Sequence, residues 1–360
     1  MSSSFTQFGE EEEQPEPERD VVLTLEDVNV RFDMSRGVAR PVKNIDLEVY
    51  RNEILGIAGE SGSGKSMLCS TMMDAVEDPG VISGDITFHT SGGREVDVLN
   101  LDKASLRRFR WEAIAMVFQG TGSVFNPVLS IEQHFTETMR AHDAYSEERV
   151  ERMHKLLEDL YLEPERILES YPHELSGGQQ QRAMIALSLI LDPQILIMDE
   201  PTSALDLLMQ RSIIDLLREI QDEYEFTLIF ITHDLPLIRG LCDRIAIMYA
   251  FEIVELGPTQ QIMGKAYHPY TRALLNSTPN LDMPVDEMRP IPGEVPDPLN
   301  VPIGCSYHPR CPMADNRCMN EDPELNEVDD NHTAACFYTD QIDDHIPLGI
   351  SAGNTGGRDR

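Results

Sequence analysis

The stretch GESGSGKS at residues 59–66 follows directly on the apolar run EILGIA at residues 53–58. No other feature constrains the fold as much. A short apolar run of this kind suits a buried strand, and the loop matches G-x-x-x-x-G-K-[ST] at every fixed position. Its glycines let successive backbone N–H groups turn inward on a polyphosphate. A helical pattern begins near Lys65, and the helix N-terminus adds partial positive charge. Lys65 is expected to reach the β- and γ-phosphates, and the Ser66 hydroxyl to bind Mg²⁺. The expected nucleotide contacts are Gly59, Glu60, Ser61, Gly62, Ser63, Gly64, Lys65, Ser66 and Met67.

The second constraint is ILIMDE at residues 195–200. Four apolar residues predict a buried strand with Asp199 and Glu200 at its C-terminal end, where open α/β sheets bind ligands. Neighbouring strand residues point opposite ways, so the two carboxylates divide the work. Asp199 is expected to hold Mg²⁺, and Glu200 to polarise the attacking water as general base.

Between these strings lies HELSGGQQQR at residues 173–182. With it the chain resembles the ATP-binding-cassette family over roughly residues 21–280. The resemblance implies an α/β fold: a P-loop NTPase cassette with a RecA-like core, an antiparallel β element and a helical subdomain at about residues 120–180. It also implies a site shared by two cassettes. Leu175, Ser176, Gly177, Gly178 and Gln179 form the family signature, which meets the γ-phosphate held by the partner. Gln119 resembles the glutamine that senses Mg²⁺ and water, so the implied Mg²⁺ set is Ser66, Gln119 and Asp199. His233 in FITHDL resembles the switch histidine, which makes Glu200, His233 and Gln119 the implied catalytic set. Asp206 closes the SALD segment that crosses the dimer interface, and Phe32 occupies the place of the aromatic stacked on adenine.

YPHELSGG, the FNP after Gln119, MYAFEIVE and HPYTRALL are similar to the oligopeptide/dipeptide importer branch. Two positions depart from it. Gly120, Thr121 and Gly122 replace an acidic, proline-containing turn, and Phe251 replaces a glycine, a change expected to be neutral.

The chain has 360 residues, more than one cassette needs, so a second module is expected. Residues 1–20 are acidic and proline-containing and are read as a disordered tail. Residues 281–345 are read as an irregular importer-type extension, and 346–360 as a flexible tail. There is no secretory signal, and no apolar run approaches a membrane span. A membrane role therefore calls for a partner. Net charge is −34 with only five lysines, spread along the chain. That pattern suggests a high-salt cytoplasm, where the Debye length at ~1 M salt is about 3 Å. It shows no basic stripe for nucleic acid.

Of six cysteines, Cys69 and Cys242 fall in core-like segments and are expected to be inert. Cys305, Cys311, Cys318 and Cys336 cluster within a proline-rich stretch that offers little apolar surface to hold it. Four soft thiolates suit a [4Fe–4S] cluster or Zn²⁺. Zinc sites usually open with C-x2–4-C, which is absent here, so the cluster is the first expectation. The alternatives are a metal-free or disulfide-linked segment, the disulfides disfavoured in a reducing cytosol, and zinc or another metal. His308 and His332 are possible substitute ligands, and a structural clip is the expected role.

The resemblance implies the ATPase subunit of a binding-protein-dependent importer of peptides or similar solutes, peripheral on the cytoplasmic face of the membrane. Its implied partners are a second, related cassette, two transmembrane permease subunits and an extracellular solute-binding protein. The alternative is a soluble mechanical ATPase on ribosomes or DNA, against which stand the single cassette and the missing heptad run. An iron–sulfur assembly ATPase is a third reading.

Overall fold

The computed structural model describes residues 20–118, 124–202, 207–277 and 291–348. Residues 1–19, Gln119 with the Gly120–Gly122 departure, Ser203 to Asp206, the junction 278–290 and residues 349–360 lie outside the described residues, and so do the expectations placed on them.

Two sheets organise the chain. Strands β1 (Val21–Met34), β2 (Gly37–Tyr50), β4 (Gly80–His89) and β5 (Glu95–Asp97) make an antiparallel sheet in the order β2-β1-β4-β5. The larger sheet runs β11-β12-β10-β9-β3-β8-β7-β6. Its centre is parallel: β3 (Ile54–Ala58) lies between β8 (Thr227–Thr232) and β9 (Arg244–Tyr249), followed outward by β7 (Ile195–Asp199) and β6 (Ile114–Val117). Parallel strands are covered on both faces, so they read as unbroken apolar runs rather than alternating ones. Alternate residues still go to opposite sides. Leu55, Ile57, Ile195, Ile197, Ile229 and Ile231 pack toward the antiparallel sheet. Ile54, Ala58, Leu196, Met198, Leu228 and Phe230 pack into a second core shared with the helices.

Helix α1 (Lys65–Met72) follows β3 and buries Leu68 and Met72 in the first core. Helix α2 (Lys103–Arg108) is capped by Asp102, whose side chain accepts from Ser105 N–H. A π-type segment, Phe109–Ala113, follows, with Trp111 at φ 93°. The helix-rich middle holds α3 (Ile131–Ala141), α4 (Glu147–Asp159), α5 (Pro164–Glu169) and α6 (Gly177–Ser188). Ser130 and Ser176 cap α3 and α6 with reciprocal capping boxes to Gln133 and Gln179. Helices α7 (Leu207–Tyr224), α8 (Leu235–Ile238), α9 (Thr259–Gly264) and α10 (Pro269–Ser277) complete the cassette.

The extension is less irregular than the sequence suggests. Its first part, residues 291–325, is loops and one short 3₁₀ turn, His308–Arg310. But β11 (Asn326–Asp329) and β12 (His332–Ala334) add antiparallel to β10 (Glu252–Pro258) and so lengthen the main sheet. The junction is fastened by a buried polar pair. His332 Nε2 lies 2.8 Å from Glu255 Oε1, with both side chains fully buried. The Glu255 carboxylate also accepts from the backbone N–H groups of Tyr267 and His268. Helix α11 (Ile342–His345) closes the described C-terminal part, where Asp343 pairs with the buried Arg272.

Candidate functional site

The loops after β3, β7 and β8 leave the same edge of the sheet, because these strands are adjacent and parallel. The first carries the phosphate loop. Gly59 and Gly64 have φ +156° and +106°, and a Cβ on either would come within 2.2 Å of the Met248 carbonyl or 2.4 Å of the Pro41 carbonyl. Only glycine lets the backbone pass there. Lys65 Nζ donates to the carbonyls of Gly59 and Glu60, each at 2.8 Å. Burial pulls this ammonium below its usual range, opposed by the carboxylates of Glu200 and Asp199. Ser61, Gly62 and Ser66 are exposed, Ser63 is buried, and Met67 is half-buried against the first core.

Asp199 ends β7. Burial holds its carboxyl above the usual range, partly offset by a hydrogen bond from Ser66. Its Oδ1 is buried without a hydrogen-bond partner in the protein. A buried carboxylate oxygen left over beside a serine hydroxyl is a donor set for a hard cation such as Mg²⁺. Glu200 stands one residue further, at φ 45°, with its N–H bonded to the Ile231 carbonyl. His233, just past β8, places Nδ1 3.1 Å from Glu200 Oε1.

The structure therefore brings together Lys65, Ser66, Asp199, Glu200 and His233. Leu175, Ser176, Gly177, Gly178 and Gln179 lie elsewhere, at the start of α6. Among the described residues no hydrogen bond or ion pair joins them to residues 59–66. Ser176 and Gly177 are exposed, and space around Gly177 is open. Phe32 is half-buried near the end of β1, and its ring fills the space a Cβ on Gly80 would need. Phe251 was expected to be a neutral replacement for glycine. It holds φ 77°, a conformation glycine adopts without strain. Its N–H donates to the Ser63 carbonyl, and its carbonyl accepts from Lys43 N–H.

Sequence reasoning missed two residues that support the loop, Tyr270 at the end of the cassette and Arg310 in the extension. Arg310 forks onto the Glu60 carboxylate at 2.8 and 3.1 Å, and Tyr270 Oη accepts from Glu60 N–H at 2.8 Å. The only signal in the sequence is an arginine inside HPRC, a string whose cysteine draws the attention.

Cys305, Cys311, Cys318 and Cys336 are all free thiols. They line one small cavity, together with His268 and His308. Burial pushes Cys305 up to about 12 and Cys311 and Cys336 up to about 11, and raises Cys318 as well. The donor set is soft and sulfur-rich. Among the described residues, however, no group of three or more His, Cys, Asp or Glu side chains is arranged to hold a metal ion. Beyond that shared cavity, the expectations of a [4Fe–4S] cluster or Zn²⁺ gain no further support from the structure. His308 lines the cysteine cavity, whereas His332 is not among its lining residues and its Nε2 is engaged by Glu255. Cys69 and Cys242 are buried core residues, as expected.

A phosphate loop, a strand-end carboxylate pair and a histidine on one sheet edge define a P-loop ATPase. Residues 42–203 match the family model described as ABC transporter, and residues 254–318 match the one described as oligopeptide/dipeptide transporter, C-terminal region. The chain is 38% identical to the dipeptide transport ATP-binding protein DppD of Caldanaerobacter subterraneus subsp. tengcongensis, over 89% of this chain and 98% of that one. It is equally 38% identical to the oligopeptide transport ATP-binding protein OppD of Escherichia coli, over 88% and 93%. Among solved structures, the ATP-binding cassette MJ0796, a dimer in a post-hydrolysis state bound to ADP and Pi, aligns with TM-score 0.57 and 28% identity. The alignment covers 66% of this chain and 98% of that one. CbiO1 from Clostridium perfringens aligns with TM-score 0.58 and 27% identity, over 68% and 92%. The chain belongs to the ABC transporter ATPases that carry the oligopeptide/dipeptide transporter C-terminal region. None of the helices described is long and apolar enough to cross a membrane.

Proposed function

We propose that this ATPase energises the uptake of dipeptides, oligopeptides or similar small solutes from the cytoplasmic face of the membrane. One observation carries the reading: the likeness to DppD spans 98% of that relative, and the match to the importer-type C-terminal region lies within it. The same relatives favour transport over mechanical work on ribosomes or DNA.

In this reading a second, related cassette completes each ATP site, and two permease subunits and an external binding protein complete the importer. The cassette comprises residues 21–280, with its helical subdomain at about 120–180, and the extension comprises 281–345. Lys65 and the backbone N–H groups of residues 59–66 hold the phosphates. Ser66, Asp199 and Gln119 hold Mg²⁺, whose charge neutralises the phosphate oxygens when bound. Glu200 accepts a proton from the attacking water, and His233 orients Glu200 while facing the γ-phosphate. Residues 175–179 and Asp206 act on the partner's nucleotide, and Phe32 supports the adenine. The solute is chosen by the other subunits. The acidic surface suits work at high salt.

We further propose that Cys305, Cys311, Cys318 and Cys336 carry a [4Fe–4S] cluster. Four thiols on a single cavity support this reading. Such a group would act as a clip for the loops of residues 291–325, because cysteine-ligated metals hold segments that lack a core of their own.

The direct test is reconstitution with the permease pair and binding protein in proteoliposomes. ATP-driven accumulation of a labelled dipeptide is expected, lost in Glu200→Gln. Anaerobic purification with iron, sulfide and zinc analysis tests the cluster. About four irons per chain supports it; zinc alone, or no metal, rejects it.

A further inference from the structure

We propose that Arg310, in the C-terminal extension, is a positioning residue of the ATP site. It clamps the Glu60 side chain and thereby sets the phosphate loop for nucleotide binding.

Glu60 sits inside the loop that must receive a polyanion, yet it carries a negative charge itself. An uncompensated carboxylate there would repel the phosphates. Every polar group of Glu60 is engaged. Its N–H donates to Tyr270 Oη at 2.8 Å, its carbonyl accepts from Lys65 Nζ at 2.8 Å, and its two carboxylate oxygens accept from Nη1 and Nη2 of Arg310. The first two contacts come from the cassette. The third reaches across 250 positions of sequence.

Arg310 is built to hold this geometry. Its side chain is 4% exposed, against 23% for Glu60. Nε donates to the Pro292 carbonyl at 2.6 Å. The guanidinium lies 5.6 Å from the Tyr249 ring centroid and 5.8 Å from that of Tyr307. A planar fork beside two aromatic rings, bonded on both edges, gives two charge-assisted bonds that a lysine cannot reproduce. The segment bearing it is fixed nearby as well. Asp322 pairs with Lys43 on β2 at 2.9 Å, and Pro298 accepts from Arg40 N–H.

The extension is therefore part of the nucleotide site through one side chain, whether or not the cysteines hold a metal. Arg310 neighbours Cys311, which lines the cysteine cavity. Disorder in that module would reach the phosphate loop through the adjacent Arg310 and its fork onto Glu60. This corollary alone rests on the proposed cluster.

The test is a double-mutant cycle on the full-length chain, reading the Kd for ATP with Mg²⁺, kcat and the melting temperature. Arg310→Gln is expected to weaken ATP binding by about ten-fold, in the range of coupled sites, with kcat at saturating ATP changed far less. Glu60→Gln on top of Arg310→Gln is expected to restore most of the affinity, because the exposed carboxylate is gone. A merely structural arginine would lower the melting temperature without that recovery. If Arg310→Gln does not fold, Arg310→Met takes its place in the same cycle; it keeps most of the side-chain packing and loses both the charge and the fork. An unchanged Kd in the folded variant, or a double variant no tighter than the single, overturns the proposal.

Discussion

Nδ1 of His233 lies 3.1 Å from Oε1 of Glu200, across the adjacent ends of β8 and β7. The contact follows from register. Asp199, the last residue of β7, pairs with Ile231, so Glu200, one past β7, and His233, one past β8, leave neighbouring strand ends. Glu200 is held at φ 45°, a strained conformation that a functional role can justify. Glu200→Gln should retain ATP binding and lose about 10²–10⁴-fold in turnover, the usual contribution of a positioned base. His233→Ala should lose turnover in the same direction, because it frees the base from its orienting ring. Steady-state phosphate release beside equilibrium ATP binding checks both. Near-normal hydrolysis by Glu200→Gln removes the assigned base.

Asp199 is a carboxylate whose ionised form is disfavoured by burial. The folded protein holds its proton to higher pH than the unfolded chain does. Its contribution to stability therefore falls as pH rises from the ordinary carboxylate range through the raised folded value. At neutral pH without Mg²⁺ the charge is a cost. Asp199→Asn should melt a few degrees higher than the parent in metal-free buffer and should have no ATPase activity. A lower melting temperature would show that the carboxylate is stabilising in the empty site.

Phe251 combines a strained backbone, φ 77°, with a ring only 2% exposed. Phe251→Gly removes strain worth about 1–3 kcal/mol and loses ring burial worth about 3–5 kcal/mol. The variant should be less stable by roughly 2 kcal/mol in chemical denaturation. A more stable variant would mean that the ring contributes little to packing against the phosphate loop.

The buried Glu255–His332 pair joins β10 to the added hairpin. His332→Ala leaves the carboxylate with only the N–H groups of Tyr267 and His268. Breaking a buried pair on one side costs about 3–5 kcal/mol, and the remaining donors place this loss near the lower end. Amide exchange across residues 326–334 should accelerate, while His332→Gln, which can still donate, should recover part of the loss. Unchanged exchange in His332→Ala would show that the hairpin is held by its backbone ladder alone.

The sequence is most legible where local pattern and chemistry coincide. Strands β3, β7 and β8 are unbroken apolar runs, each followed by its motif, so local pattern alone places both the elements and the site residues beside them. The capping box of Ser176 and Gln179 likewise lies within four residues. What stays hidden depends on distant partners. Strands β11 (NEVD) and β12 (HTA) are short and polar, and they become strands only because the edge of β10 is there to pair with them. The Arg310–Glu60 fork joins segments that no local pattern relates. The cost of Phe251 is a backbone angle, set by the β9–β10 turn and not by the residues on either side of it in the sequence.

The central claim is that two cassettes close on ATP. It is tested most directly by the molar mass of Glu200→Gln in solution, alone and mixed with its sister cassette, with and without ATP and Mg²⁺. The account predicts an ATP-dependent species containing two cassettes and two bound nucleotides, abolished by a second substitution, Ser176→Arg, in the signature. A chain that stays monomeric with ATP in both mixtures, or that associates equally well with the signature disrupted, contradicts it.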